Sequence, residues 1–318
     1  MTQETRLVAN RKFAWIETPR GAHLILTLTA LCLAGNHVIG RSVAGEIPPL
    51  GLSFWRWTVG ALFLAPFVMP KILERRKIYR AHLRNLALLG LLIVGSTSVL
   101  LVALNFTTAI NVSLINAVQP VLTVLLAVVF LQDRISRSAV VGIIFALFGV
   151  VVMLSEGDWT NVSNLQLNGG DLIALAAMCG LATYALNLRK LPGDLSVVES
   201  LFALTLLGSL MLLPFYILES LFYATVPMRS STVVVVLELA LLVSVFGNLM
   251  WNLGNQIIGP IRAAMFINLI PLFGAMLAVT FLGEKIFFYH LIGGLLICLG
   301  IWLVVGNLNR HSRRQLPE

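Results

Sequence analysis

The chain has 318 residues, 58% of them hydrophobic and only 11% charged, with a formal net charge of +8. Ordinary soluble domains are about half apolar and about a quarter charged, so this composition excludes a soluble enzyme or binding module and points to lipid. The basic residues are scattered over separate short stretches, which excludes nucleic acid as the partner they serve.

Residues 1–21 form a tail with Arg6, Arg11, Lys12 and Arg20 but no apolar core, so the first span must act as its own insertion signal. About ten apolar stretches follow, each near the ~20 residues that cross a bilayer as helix. They are placed at 22–40, 52–69, 84–104, 110–131, 138–154, 171–188, 198–218, 233–253, 263–282 and 288–306. Apolar runs such as Val121 to Leu131 exclude the alternation of a membrane β-barrel. Cys32, Cys179 and Cys298 fall inside spans without metal or redox spacing and read as small core residues.

Lys and Arg gather in cytoplasmic loops. With the N-terminus inside and ten crossings, 18 of the 22 basic residues fall inside, three (Arg41, Arg229, Lys285) outside, and Arg56 within a span. The expected architecture is therefore an all-α membrane protein of ten transmembrane helices with both termini cytoplasmic. Residues 22–154 and 171–307 form two five-helix repeats of opposite orientation, joined by an external connector at 155–170 and closed by a cytoplasmic tail at 308–318. The repeat is visible in the residues: Ser113–Leu154 returns about 151 positions later as Ala264–Val305. Pro120 answers Pro271, Gly142 answers Gly293 and Gly149 answers Gly300. Inverted repeats enclosing one central site are a transporter's architecture.

The segment Asn36-His37-x3-Arg41, then Pro48-Pro49 and Phe54-Trp55-Arg56-Trp57, resembles the start of a repeat of the drug/metabolite transporter superfamily in its ten-helix, EamA-type form. Asp133-x8-Gly142-x6-Gly149 and Glu284-x8-Gly293-x6-Gly300 resemble the way that repeat closes. The resemblance covers roughly residues 22 to 307, and within the superfamily the chain is similar to bacterial exporters of amino acids, the aromatic branch among them. It implies an inner-membrane protein working by alternating access, with a cavity lined chiefly by helices 1, 3, 4, 6, 8 and 9.

A polar group in hydrocarbon costs several kcal/mol unless it finds a partner, so the polar residues of the spans are the candidates for a substrate path. They are Asn36 and His37 in span 1, Asn116 and Gln119 in span 4, Tyr184 in span 6, Trp251, Asn252 and Asn255 in span 8, and Asn268 in span 9. The bland reading of the amides is glue between helices, at about 0.6 kcal/mol each. Pro120 and Pro271 interrupt their helices at matching places, as hinges or as packing kinks. His37 titrates near neutrality. Arg56 is expected to snorkel, to pair with an acid such as Glu46, or to attract a substrate carboxylate. Glu238 is a candidate coupling carboxylate or a snorkelling one. Trp55, Trp57 and Trp302 read as belt residues at headgroup level.

No nucleotide, nucleophile or metal motif appears, so neither an enzyme nor a cofactor or metal is expected. The partners are a small-molecule substrate and the bilayer; a monomer suffices for the scheme, and nothing fixes the oligomeric state. The functional expectation is export or facilitated diffusion of small amphipathic metabolites, amino acids foremost. The alternatives are a proton-coupled multidrug exporter and, in another class, a membrane enzyme or scaffold.

Overall fold

The computed structural model describes residues 18–42, 46–107, 112, 115–132, 135–155, 158, 160, 168–282 and 287–312, with backbone alone at 36–38, 40–42, 73, 131, 278–279, 281–282 and 306–312. Among these residues all regular structure is helical, in ten spans. They are α1 (Pro19–Ser42), α2 (Pro49–Glu74), α3 (Leu83–Ala103), α4 (Gln119–Leu131), α5 (Arg137–Leu154), α6 (Gly169–Asn187), α7 (Val197–Phe222), α8 (Ser230–Ile258), α9 (Pro260–Leu282, in three pieces) and α10 (Phe288–Ser312). Eight of the described helices are long and apolar enough to cross a membrane, and Ile115–Phe130 is a shorter apolar one.

The starts follow from local chemistry. Pro49 sits in the first turn of α2, where a missing N–H is harmless. Asn168 with Asp171 and Ser196 with Glu199 form capping boxes at the heads of α6 and α7. At the opposite end of the α2–α7 pair, the Glu219 carboxylate accepts from the N–H groups of Leu50 and Gly51 at 3.0 and 2.7 Å, so α7 caps α2. Arg75, just past α2, pairs with Glu199 at 3.5 Å. These ties join segments that the charge pattern assigns to a common face.

Two spans contain π-helical stretches, Leu91–Gly95 in α3 and Leu239–Gly247 in α8. They occupy equivalent places in the two repeats. In α8 the Asn248 side-chain N–H₂ donates to the carbonyl of Val243 five residues back at 2.9 Å, satisfying backbone that the wider winding leaves open.

Helices of the two halves interleave: α1 packs on α8 and α9, and α6 packs on α3 and α4, while α2 lies along α7 and α5 along α10. The α5–α10 seam is set by glycine. A Cβ on Gly142 would stand 2.6 Å from the Gly300 carbonyl oxygen, and one on Gly149 would stand 2.7 Å from that of Gly293. Since Gly142 corresponds to Gly293 and Gly149 to Gly300, each contact is the image of the other under exchange of the repeats. The same exchange relates Gly60 against Ala240 and Val245 to Gly208 against Gly90 and Val94.

The expected interruptions are present. The span-4 helix turns at Val118 and restarts with Gln119-Pro120, and α9 passes through a 3₁₀ turn at Phe266–Asn268 before restarting with Pro271 in its first turn. Replacing Gly149 by Ala is expected to lower stability by about 1–3 kcal/mol through overpacking, whereas Gly274→Ala, with nothing within 4 Å of its new methyl, is expected to be neutral. Thermal unfolding of the two variants in detergent separates the cases.

Candidate functional site

The polar residues of α8 fall on one stripe. Ser244, Asn248, Asn252 and Asn255 are spaced four, four and three apart, the step that keeps side chains on one helix face. All four are buried. Across from the stripe, the Tyr184 hydroxyl of α6 donates to Asn252 Oδ1 at 2.7 Å. Tyr184 and Asn252 are 1% and 0% exposed, so this bond joins α6 to α8, two helices of the second half, inside the bundle. The other end of the Asn252 amide, its Nδ2, is sealed and has no partner among the described residues. Asn255 Nδ2 and both amide atoms of Asn268 are in the same condition.

Asn268 lies in the 3₁₀ turn of α9, the interrupted segment of that span. Its counterpart region in α4 holds Gln119, which is buried, and Asn116, which is half-buried. Thr123, a turn further on, is fully buried and returns its hydroxyl to the Gln119 carbonyl at 2.9 Å. Trp251 is buried in the same apolar cluster as Tyr184 and Phe266.

A cavity of about 450 Å³ opens at one end of the α8 stripe, on the face bearing the basic loops. Asn255 and Gln256 of α8, Gly259 and Pro260 at the α8–α9 corner, and the Leu188–Leu195 turn with Arg189 form its walls. Gly259 turns this corner with φ +85°, a conformation glycine alone adopts without strain. Sequence reading expects the open space among Asn116, Gln119, Asn252 and Asn268. The cavity instead reaches the stripe only at Asn255, with apolar packing closing over the deeper amides. Spacing within one helix places amides on a face but carries no information on which neighbours close over them.

Several other expectations change. Arg56 neither snorkels nor pairs with Glu46: it is 3% exposed while Glu46 is exposed, and among the described residues it has no ion-pair partner. Trp57 is not a belt residue; it is 1% exposed and donates from Nε1 to Thr97 Oγ1 at 3.3 Å. Trp55, half-buried, donates to the Tyr216 hydroxyl, and Trp302 stays on the outer surface. Glu238 is exposed on α8, away from the buried stripe. The side chains of Asn36 and His37 lie outside the described residues, as do Asp133 and Glu284. Ser244 and Gly259 were missed by sequence reasoning, since a lone serine in an apolar run and a glycine at a helix corner give no signal of their own. His23, stacked on Phe266 at 5.8 Å near the start of α1, was passed over for the same reason.

Comparison with known proteins agrees with this architecture. The sequence profile described as the EamA-like transporter family matches twice, over residues 20–155 and 168–306. The uncharacterized transporter YyaM of Bacillus subtilis (strain 168) is 26% identical over 275 residues, covering 84% of this chain and 88% of its own. An uncharacterized transporter of Archaeoglobus fulgidus is 27% identical over 287 residues, 88% of this chain and 96% of its own. A probable terminal-alkyne amino-acid exporter of Streptantibioticus cattleyicolor is 26% identical over 258 residues, 80% and 83% of the two chains. One crystal structure superposes with a TM-score of 0.70 at 19% identity over 92% of this chain and 98% of its own, which shows the shared fold.

The Tyr184–Asn252 bond is testable by a double-mutant cycle. Tyr184→Phe strands the Asn252 acceptor and Asn252→Leu strands the tyrosine hydroxyl, so each single change is expected to destabilise more than its share of the pair. A coupling of about 0.6–1.7 kcal/mol is expected from unfolding in mixed micelles.

Proposed function

The chain belongs to the EamA-like transporter family and is a multi-pass membrane transporter, and we propose that it exports small amphipathic metabolites, amino acids foremost, across a bacterial inner membrane. The observation that carries this reading is the buried, half-satisfied amide set of Asn252, Asn255 and Asn268, of which Asn255 lines the cavity on the basic-loop face. An amide N–H₂ without an acceptor inside a bundle is stabilised when a ligand carboxylate or carbonyl supplies one. Trp251, Tyr184 and Phe266 offer apolar surface for a side chain beside it. Amino-acid export is the activity in the printed name of the Streptantibioticus relative, and the Bacillus relative fits a bacterial inner-membrane setting.

The interleaved packing supports alternating access as the mode of transport. Because α1 rests on α8 and α9, and α6 on α3 and α4, a rocking of these two groups separates and rejoins Tyr184 of α6 and Asn252 of α8. A cation–proton exchanger would need an acid in the path, and the candidate Glu238 stands on the outer surface.

In proteoliposomes the protein is expected to exchange labelled phenylalanine or another neutral amino acid. Asn252→Leu, checked as monodisperse, is expected to slow exchange by about 10-fold or more, the loss of one or two buried hydrogen bonds to substrate. Glu238→Gln is expected to leave it unchanged. Absence of any neutral amino-acid flux from the wild type defeats the substrate assignment.

A further inference from the structure

Among the described residues nothing neutralises Arg56, a cation held inside the bundle. It lies two turns into α2 and is 97% buried by the complement of its 3% exposure. Its Nε is sealed and unpartnered. Each acid that could serve is otherwise placed: Glu46 and Glu238 are exposed, and Glu219 is engaged with the N–H groups of Leu50 and Gly51. What the guanidinium does touch is the face of Trp57, with Cζ 5.3 Å from the ring centroid. A cation–π contact offsets part of the desolvation of a buried charge but leaves five N–H donors to be satisfied.

The position lies one helical turn from the place where α2 meets the α8 stripe. Gly60, one turn beyond Arg56 on the same face of α2, would carry a Cβ 3.6 Å from Ser244 Cβ, so α2 at this level lies on the π segment of α8. Ser244 is fully buried, and its hydroxyl has no partner among the described residues. From Ser244 the stripe descends through Asn248 and Asn252 to Asn255 at the cavity wall, roughly 16 Å along the helix axis.

We infer that Arg56 is the specificity-determining residue for substrate charge: it receives the carboxylate of the transported molecule at the end of the stripe opposite the cavity, with Ser244 as a neutral neighbour and Trp57 as the apolar wall. The inference rests on the reading of the chain as a carrier of amphipathic metabolites and narrows it to those bearing a carboxylate. The planar fork of arginine matches two carboxylate oxygens. A dianionic phosphate would need a second base, and none stands beside Arg56 among the described residues. Amines and neutral amides of the same shape leave the buried charge unpaired and are excluded.

The test uses the full chain in detergent with 3-phenylpropionate as probe, 3-phenylpropanol as its uncharged match and inorganic phosphate as a second anion, all at constant chloride. The carboxylate is expected to raise the melting temperature of the wild type by a few degrees in a saturable manner, with the alcohol and phosphate giving little. Arg56→Lys is expected to bind the carboxylate about 10-fold to 100-fold more weakly, since one point charge replaces a bidentate fork. Arg56→Met is expected to lose the response while melting, without ligand, at or above the wild-type temperature, because it removes an unpaired buried charge. Equal stabilisation by carboxylate and alcohol, or by phosphate, overturns the assignment; so does an unliganded Arg56→Met that melts well below wild type, which marks a structural arginine. Phenylalanine flux is read separately. Flux without carboxylate preference sinks Arg56 alone, whereas carboxylate binding without amino-acid flux sinks the proposed substrate and leaves Arg56 standing.

Discussion

Inside a bilayer no water is at hand to complete a hydrogen bond, so each polar group in a span must be answered by another part of the chain or by what the chain carries. Most polar groups here are answered locally. Thr97, Ser98, Thr123, Thr183 and Ser209 return their hydroxyls to carbonyls three or four residues back, Ser53 meets Ser98 at 2.6 Å, and Glu219 closes the head of α2. Against that background the buried side chains left over among the described residues include Ser244, Asn252 and Asn255 along α8, Asn268 in α9 and Arg56 in α2, besides Thr58, Tyr79 and Ser220.

The same constraint explains how the halves join. With lipid as apolar as the side chains, association gains little from hydrophobicity and relies on close packing. The α5–α10 seam achieves this by backbone approach at four glycines, paired crosswise between repeats. That arrangement holds one helix pair in close contact. In the proposed cycle movement falls instead to α1 and α6, which each half lends to the other's third and fourth helices.

Much of this was legible in the sequence because membrane folding writes itself in one dimension. The spans follow from continuous apolarity, and the doubling from the 151-residue offset that pairs Pro120 with Pro271 and Gly142 with Gly293. The breaks at Val118 and at Phe266–Asn268 follow from those prolines. Three-dimensional enclosure was not legible. Trp57 has the composition of a belt residue and is buried because α3 presents Thr97 to it. Arg56 sits near the start of a span and still points inward. Glu238, central in an apolar run, faces outward, since the turn of winding between α-helix and π-helix decides which way a side chain looks. The cavity lies at a helix corner because Gly259 turns the chain there, which neither hydropathy nor residue type announces.

The π stretches in α3 and α8 bear on how much change each helix tolerates as well as on its shape. One added residue in a helix whose flanking faces are already committed to partners is absorbed as a wider turn, and a later deletion would rotate a whole flank out of register. Leu91–Gly95 and Leu239–Gly247 stand at corresponding levels of the two halves. Beyond the π stretch α3 continues with Ser96–Ala103, without an asparagine, and α8 with Asn248, Asn252 and Asn255, so the shared bulge serves two halves with non-identical interiors.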